Sequence, residues 1–292
     1  MYFFAFEGVD EVGKTSLIND VYNILSPHFN IIKSSDENNF IGEIAKQNES
    51  TKVNSWFLWL EARKRECNTI IEKNDGKENS LIVLYDRYWY TTCVYADKEE
   101  YIDILTDTNI FIQPDFFFLI TEDIDKLNHI DDESLKNKCK YNQKRFRNIM
   151  KFYENNYCEI LNSRGDFKRT VIRIVLMILS KMGIKYGDQQ GKHNEFIEQL
   201  ICCYCQYCCQ RIGIQTNYPF EDEFVEFYSA RGFTCVDING KLFVYRNESC
   251  PYLSDFGCKI YNNRPKVCMS YDGRVDFGNK CLWSVLKEFH FC

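Results

Sequence analysis

The run Gly8-Val9-Asp10-Glu11-Val12-Gly13-Lys14-Thr15 fits G-x-x-x-x-G-K-[ST] at every fixed position, and it constrains the fold more than any other feature of the chain. Its flanks are the ones such a pattern needs. Tyr2 to Glu7 is a short apolar, strand-like run, and Ile18, Val21, Tyr22 and Leu25 recur at helical spacing after Thr15. A strand that enters a glycine turn and opens a helix lets backbone N–H groups curl around a phosphate, with the positive end of the helix behind them. In such a loop Lys14 reaches the β- and γ-phosphate oxygens and the Thr15 hydroxyl is placed to ligate Mg²⁺. The bland alternative is a glycine turn joining a strand to a helix.

Further along, strand-like and helix-like segments alternate. Asn30 to Lys33 reads as a second strand and Val53 to Ile71 as a long helix. Leu81 to Tyr85 is a buried strand ending at Asp86, and Asp115 to Ile120 another after Pro114. Lys140 to Leu161 reads as a helix with Phe146, Ile149, Tyr153, Tyr157 and Ile160 on one stripe. Short, almost continuously apolar strands separated by helices imply an α/β fold with a parallel sheet covered on both faces. A polar stretch from Tyr186 to His193, with Gly187 and Gly191, reads as a linker.

The segment Phe6-Glu7-Gly8-Val9-Asp10-Glu11-Val12-Gly13-Lys14-Thr15-Ser16 resembles the opening of thymidylate kinases, F-E-G-x-D-x-x-G-K-[ST]-[ST]. Asp86-Arg87-Tyr88 resembles that family's D-R-[YF], with Thr91 and Tyr95 where its serine and tyrosine follow. Trp59 and Arg63 match its aromatic-x-x-x-R. The resemblance covers about residues 1–185 and implies a P-loop kinase with a five-stranded parallel sheet. It implies that Gly8, Gly13, Lys14, Thr15 and Ser16 hold ATP and its Mg²⁺. Asp10 would hold the acceptor sugar's 3′-hydroxyl, Asp86 would help position Mg²⁺, and Arg87 would contact the acceptor phosphate. Trp59 would stack on the base, Arg63 would reach its edge, and Tyr95 would complete the substrate site. The bland readings are a core tryptophan for Trp59 and a solvated helix charge for Arg63.

Phosphoryl transfer has a loose transition state and needs positioning and positive charge more than covalent help. Thymidylate kinases carry the charge-stabilising arginine in the phosphate loop or in a lid. Here the loop position is Glu11, so the cation is expected from the lid, where Lys136, Lys138, Lys140, Lys144, Arg145, Arg147 and Lys151 occur with no acid among them. A solvated basic helix face is the competing reading. Two departures fall on the acceptor side. The family's R-E-P arginine has no counterpart near Lys33-Ser34-Ser35-Asp36, and its glutamine after the tyrosine is Ala96.

Cysteine divides the chain. Of 15 cysteines, 11 lie between Cys202 and Cys292. The N-terminus has no basic segment before its apolar run, and Ile174 to Leu179 is too short to span a bilayer. The expected compartment is therefore cytoplasmic, where close-set thiols favour metal over disulfides. Cys202-x-x-Cys205-x-x-Cys208-Cys209, then Cys250-Pro251-Tyr252-Leu253, Cys258-x-Ile260-Tyr261-x-x-Arg264-Pro265-x-x-Cys268 and Cys281 resemble the zinc- or iron-chelating CxxCC domains related to flagellin N-methylase. Eight sulfurs can fill two four-coordinate sites, or one iron–sulfur cluster with sulfurs to spare. Cys203, Cys235 and Cys292 lie outside the pattern.

The sequence thus predicts a thymidylate kinase-like domain over 1–188 and a cysteine-rich zinc- or iron-binding domain over 189–292. The expected activity is ATP-dependent phosphorylation of a (deoxy)nucleoside monophosphate, dTMP foremost. The alternative is a nucleotide-binding module that has lost acceptor chemistry and regulates a metal-dependent or redox cysteine-rich domain. A net charge of −6 argues against nucleic acid as a partner. No membrane partner is expected, and a homodimer through the kinase domain is compatible with the resemblance.

Overall fold

Five strands lie side by side in the order β2-β3-β1-β4-β5, every adjacent pair parallel: β1 (Tyr2–Glu7), β2 (Ile31–Ser34), β3 (Ile82–Asp86), β4 (Phe116–Thr121) and β5 (Tyr157–Leu161). The parallel sheet is the one expected from the alternating pattern, and its five strands are the number the family resemblance implies. The structure, a computed structural model, describes residues 1–35, 40–47, 55–74, 81–95, 111–126, 132–150, 156–162, 166–187, 193–254, 257–266, 268, 271 and 280–288. They fall into two compact units, Met1–Ile178 and Leu179–Cys292.

The central strands are apolar on both faces because both faces are covered. Phe3, Phe4 and Phe6 of β1 and Phe116, Phe117 and Phe118 of β4 are all buried. The Phe6 and Phe118 rings meet at 4.9 Å between centroids, and Tyr90 sets its edge against Phe117 at the same separation. The helices of this unit are α1 (Lys14–Leu25), α2 (Phe40–Gln47), α3 (Ser55–Asn74), α4 (Trp89–Tyr95), α5 (Glu133–Met150) and α6 (Phe167–Lys181). The apolar run Ile174 to Leu179 belongs to α6. Among the described residues no helix is long and apolar enough to cross a membrane.

One expectation is corrected. The helix predicted over 140–161 ends at Met150, and Tyr157–Leu161 is the edge strand β5. Phe146 and Ile149 do form the buried stripe of α5, but Ile160 is buried by pairing with β4, where it stands opposite Ile120. Tyr157 and Ile160 satisfy a helical spacing by coincidence. An edge strand exposes alternate residues, here Glu159 and Leu161, so it lacks the continuous apolar run that marks the inner strands. Tyr153 lies outside the described residues.

The parallel register sets Phe6 beside Asp86. The loop after β1 and the turn after β3 therefore leave the sheet at the same carboxyl edge. In open α/β sheets this edge, where neighbouring connections run to opposite faces, is where ligands bind.

The second unit has helices α7 (Asn194–Cys205), α8 (Asp222–Ser229) and α9 (Val285–Glu288). Strands β6 (Arg211–Pro219), β7 (Thr234–Ile238) and β8 (Lys241–Asn247) form an antiparallel sheet in the order β6-β8-β7. The run Leu242 to Tyr245 lies within β8, and its Leu242, Phe243 and Val244 are buried. A short pair, β9 (Leu253–Ser254) and β10 (Gly257–Cys258), lies among the cysteines. The polar stretch read as a linker is described only at Tyr186, Gly187 and His193, and Ala96 lies outside the described residues.

Candidate active site

The loop between β1 and α1 is shaped by its two glycines. Gly8 has φ 136°, and a Cβ there would stand 2.2 Å from the Ile120 carbonyl oxygen, so only glycine lets the loop pass this close to β4. Gly13, at φ 81°, caps the N-terminus of α1. Lys14 folds back over the loop, its Nζ donating to the Gly8 carbonyl at 2.9 Å and also to the Val9 carbonyl. Burial, with the Arg87 charge nearby, pulls the Lys14 ammonium down to about 7, against the opposing carboxylates of Asp86, Asp10 and Glu7.

Across this loop stands the end of β3. Thr15 Oγ1 donates to Asp86 Oδ2 at 2.7 Å. The other carboxylate oxygen, Asp86 Oδ1, is buried with no hydrogen-bond partner among the described residues. A hydroxyl and a carboxylate joined this way, with one buried lone-pair group unused, fit a hard divalent cation that accepts only a few protein oxygens. Ser16 is exposed on the next residue of α1.

Arg87 has the left-handed φ of 65°, unusual for a side chain of its size. Three contacts hold that conformation. Its N–H donates to the Phe6 carbonyl at 3.0 Å, its carbonyl accepts Arg63 Nε at 3.4 Å, and the following N–H of Tyr88 donates to Glu7 Oε1 at 3.1 Å. The guanidinium is thereby delivered to the Asp10 carboxylate, with which it forms an ion pair. Tyr95, at the end of α4, donates its hydroxyl to the other Asp10 oxygen at 3.0 Å and accepts the Asp10 N–H at 3.1 Å. Burial works against the charge on Asp10, but Arg87, with Lys14 and the Tyr95 hydrogen bond, holds the carboxyl below its usual range. Burial likewise opposes the Arg87 charge, and Asp10, with Tyr95 and Asp86, more than compensates. Asp10, Glu11, Gly13, Lys14, Thr15, Ser16 and Arg87 line one cleft of about 440 Å³.

The fold therefore gathers Gly8, Asp10, Gly13, Lys14, Thr15, Ser16, Asp86, Arg87 and Tyr95 in one place. Trp59 and Arg63 lie on α3, the guanidinium 5.9 Å from the indole centre. Arg63 is turned inward and only 2% exposed, donating to the Trp59 and Arg87 carbonyls and to Thr92 Oγ1. Of the basic residues expected for a lid, all but Lys151, which lies outside the described residues, are on α5. Lys140 pairs with Asp125 at 2.5 Å and Arg147 with Glu159 at 2.6 Å, while Arg145 covers the Tyr141 ring at 5.2 Å. Cys139 is buried on the same helix, its thiol raised by burial and by the charges of Asp10 and Glu11. Lys33, beside the missing R-E-P arginine, is turned to Asn19 Oδ1 at 2.7 Å and to the Tyr22 ring.

Sequence reasoning missed Glu7 as a working part of the site. It is wholly buried and takes hydrogen bonds from the Tyr88 N–H and the Thr91 hydroxyl, tying β1 to the start of α4. Burial pushes its carboxyl up to about 8, with the Thr91 hydrogen bond and the charges of Arg63, Lys14 and Arg87 pulling the other way. Its place in the run Phe6-Glu7-Gly8 was the available signal.

In the C-terminal unit Cys202 and Cys205 lie on α7 and Cys208 and Cys209 in the 3₁₀ turn Cys208–Gln210. Cys258 ends β10, and Cys281 caps the 3₁₀ turn Leu282–Ser284. Cys205 Sγ accepts the Leu282 N–H at 3.4 Å and is hydrogen-bonded to Cys281, which also meets Cys208. The Cys250 N–H donates to the Cys209 carbonyl at 2.8 Å, and the Cys209 thiol is influenced by Cys258, Cys250 and Cys268. Burial and neighbouring sulfurs push Cys202 up to about 12 and Cys209 to about 11. The described cysteines are all free thiols. Among the described residues no group of three or more His, Cys, Asp or Glu side chains is arranged to hold a metal ion. Cys203 accepts the Cys258 N–H, Cys235 lies 3.6 Å from Ser229 Oγ, and Cys292 is outside the described residues.

A five-stranded parallel sheet whose first strand opens a phosphate loop, with an Asp-Arg turn facing it, defines a P-loop kinase. More narrowly, the family model "Thymidylate kinase" matches residues 6–164, more than half of the chain, and the protein belongs to the thymidylate kinase family. Membership makes it a nucleoside monophosphate kinase and implies ATP and Mg²⁺. Among solved structures it is similar to the thymidylate kinase from Ehrlichia chaffeensis, at 19% identity and a TM-score of 0.47, over 60% of this chain and 96% of that one. No curated protein matches.

Proposed function

We propose that this chain transfers the γ-phosphoryl group of ATP to a deoxynucleoside monophosphate, dTMP foremost, in the cytoplasm. The observation that carries the reading is the Thr15–Asp86 contact across the phosphate loop, with Asp86 Oδ1 buried and unused. Thr15 and Asp86 would hold Mg²⁺, which when bound offsets the phosphate charge. Lys14 would leave the Gly8 and Val9 carbonyls for the β- and γ-phosphate oxygens. Asp10, kept ionised by Arg87, would accept a hydrogen bond from the acceptor sugar, and Arg87 would face the acceptor phosphate. The basic residues of α5 would supply positive charge in place of the loop residue Glu11. Trp59 would offer its ring to the base. Arg63 supports the site from behind, through the Arg87 carbonyl.

A panel of nucleoside monophosphates with ATP and Mg²⁺ tests this reading. Turnover with dTMP or a close relative, abolished in Lys14→Ala, is expected. A well-folded protein that turns over no member of the panel removes the proposal. In that event the second reading stands, a nucleotide-binding module that regulates the cysteine-rich unit. It draws support from Glu11 in the loop and from Lys33 turned to Asn19 on the acceptor side.

For the C-terminal unit we propose zinc or iron bound by Cys202, Cys205, Cys208, Cys209, Cys250, Cys258, Cys268 and Cys281. Support comes from the sequence pattern and from Cys202, Cys205, Cys209 and Cys281, whose raised proton affinities are the kind a cation reverses. Elemental analysis of anaerobically purified protein decides between metal and free thiols, and a visible spectrum between iron–sulfur and zinc.

A further inference from the structure

Behind the phosphate loop stands Asn162, a residue that none of the roles above employs. It follows directly on β5, its N–H donating to the Thr121 carbonyl at 2.8 Å, and it is 5% exposed. Its Nδ2 donates to the Val12 carbonyl at 2.7 Å, a contact spanning 150 residues of sequence. A Cβ added to Gly13 would lie 2.8 Å from that same nitrogen, so the glycine leaves the room the amide occupies. The other end of the amide, Oδ1, is buried without a hydrogen-bond partner among the described residues.

The Val12 carbonyl and the Gly13 N–H belong to one planar trans peptide and point in opposite directions. A donor that draws the Val12 oxygen toward β5 turns the Gly13 N–H the other way, and Gly13 lines the cleft. A residue present only for packing would not leave a buried acceptor unpaired, since an apolar side chain would fill the space without that cost. We propose that Asn162 is a positioning residue, which fixes the Val12–Gly13 peptide so that its N–H is presented to a phosphate oxygen of the donor nucleotide. The inference rests on the ATP reading above. The amide suits the task because it is a neutral donor. A carboxylate at this place would face the carbonyl oxygen with like partial charge, and only its protonated form could donate.

The test is the affinity for Mg²⁺-ATP of wild type, Asn162→Leu and Asn162→Asp between pH 5.5 and 8.5, with melting temperature and far-ultraviolet circular dichroism recorded on each. Asn162→Leu is expected to weaken ATP about tenfold with dTMP affinity unchanged, the loss of one hydrogen bond made through the loop. Asn162→Asp is expected to bind nearly as wild type at the acid end and to fall away from the wild-type curve as pH rises. If Asn162→Leu does not fold, the pH profile of Asn162→Asp decides alone. ATP binding by Asn162→Asp that tracks wild type at every pH overturns the proposal and leaves Asn162 a packing residue. Wild type that binds no ATP overturns the nucleotide reading, and this one with it.

Discussion

The Asp10 carboxylate and the Arg87 guanidinium form an ion pair across 77 residues of sequence, and Tyr95 occupies the second Asp10 oxygen. Neither partner is where a helix or strand would ordinarily put it. Asp10 rides on a glycine turn, and Arg87 sits at a left-handed φ held from behind by Glu7, Phe6 and Arg63. Breaking the pair is expected to disturb the acceptor and leave the donor alone. Asp10→Asn should lower kcat/KM for the acceptor by about 10–100-fold, the range for a lost charge-assisted hydrogen bond. ATP affinity, measured by equilibrium binding, should stay at the wild-type value. Arg87→Lys should not restore activity, because an ammonium cannot reproduce the planar fork.

Lys14 carries a proton question. Its ammonium titrates near 7 in the free protein, mainly because it is buried. Phosphate oxygens beside it favour the charged form, so binding ATP above pH 7 should take up a proton. Calorimetry at pH 8 in two buffers of different ionisation heat is expected to show uptake approaching one proton in wild type. The uptake should vanish in Lys14→Ala.

Glu7 makes stability depend on pH in a definite direction. Its carboxyl is raised from 4.5 to about 8, so between those values the folded chain keeps a proton that the unfolded chain has lost. The stability this contributes is fully present below about 4.5 and is lost as pH rises toward 8. The lowered value of Lys14 acts in the opposite sense, adding stability only above about 7. Between pH 5 and 7, therefore, wild type should lose up to about 1.4 kcal/mol per pH unit through Glu7. Glu7→Gln, which mimics the protonated acid, should flatten that slope in denaturant unfolding. An equal slope in both proteins would show that Glu7 is ionised throughout.

Asp86 and Thr15 are joined at 2.7 Å with one Asp86 oxygen left over. Asp86→Asn keeps the shape and removes the charge. It should raise the Mg²⁺ concentration needed for half-maximal activity by about 10–100-fold. Thr15→Val should shift it in the same direction, with the melting temperature unchanged because Thr15 is exposed.

The local signals were strong wherever chemistry restricts residue choice. Two glycines, a lysine and a hydroxyl in fixed order, and runs of almost continuously apolar residues can each be read without partners in view. The phosphate loop, four of the five strands and the residues of the cleft were legible for that reason. β5, one of the two edge strands, was not, since its exposed Glu159 and Leu161 blur the period and Tyr157 and Ile160 fall at a helical spacing. With β5 hidden, Asn162 was hidden too.

The sequence by itself determined a nucleotide-binding α/β domain ahead of a cysteine-rich segment, because motif spacing and composition are properties of the chain. Which way a side chain turns is a property of its neighbours. Tertiary structure alone decided that Arg63 faces inward to carry Arg87, that Lys33 points to Asn19, and that Glu7 is sealed beneath the site. Each depends on charges and carbonyls brought close from distant segments, whose strength is set by burial, and burial exists only once the chain has folded.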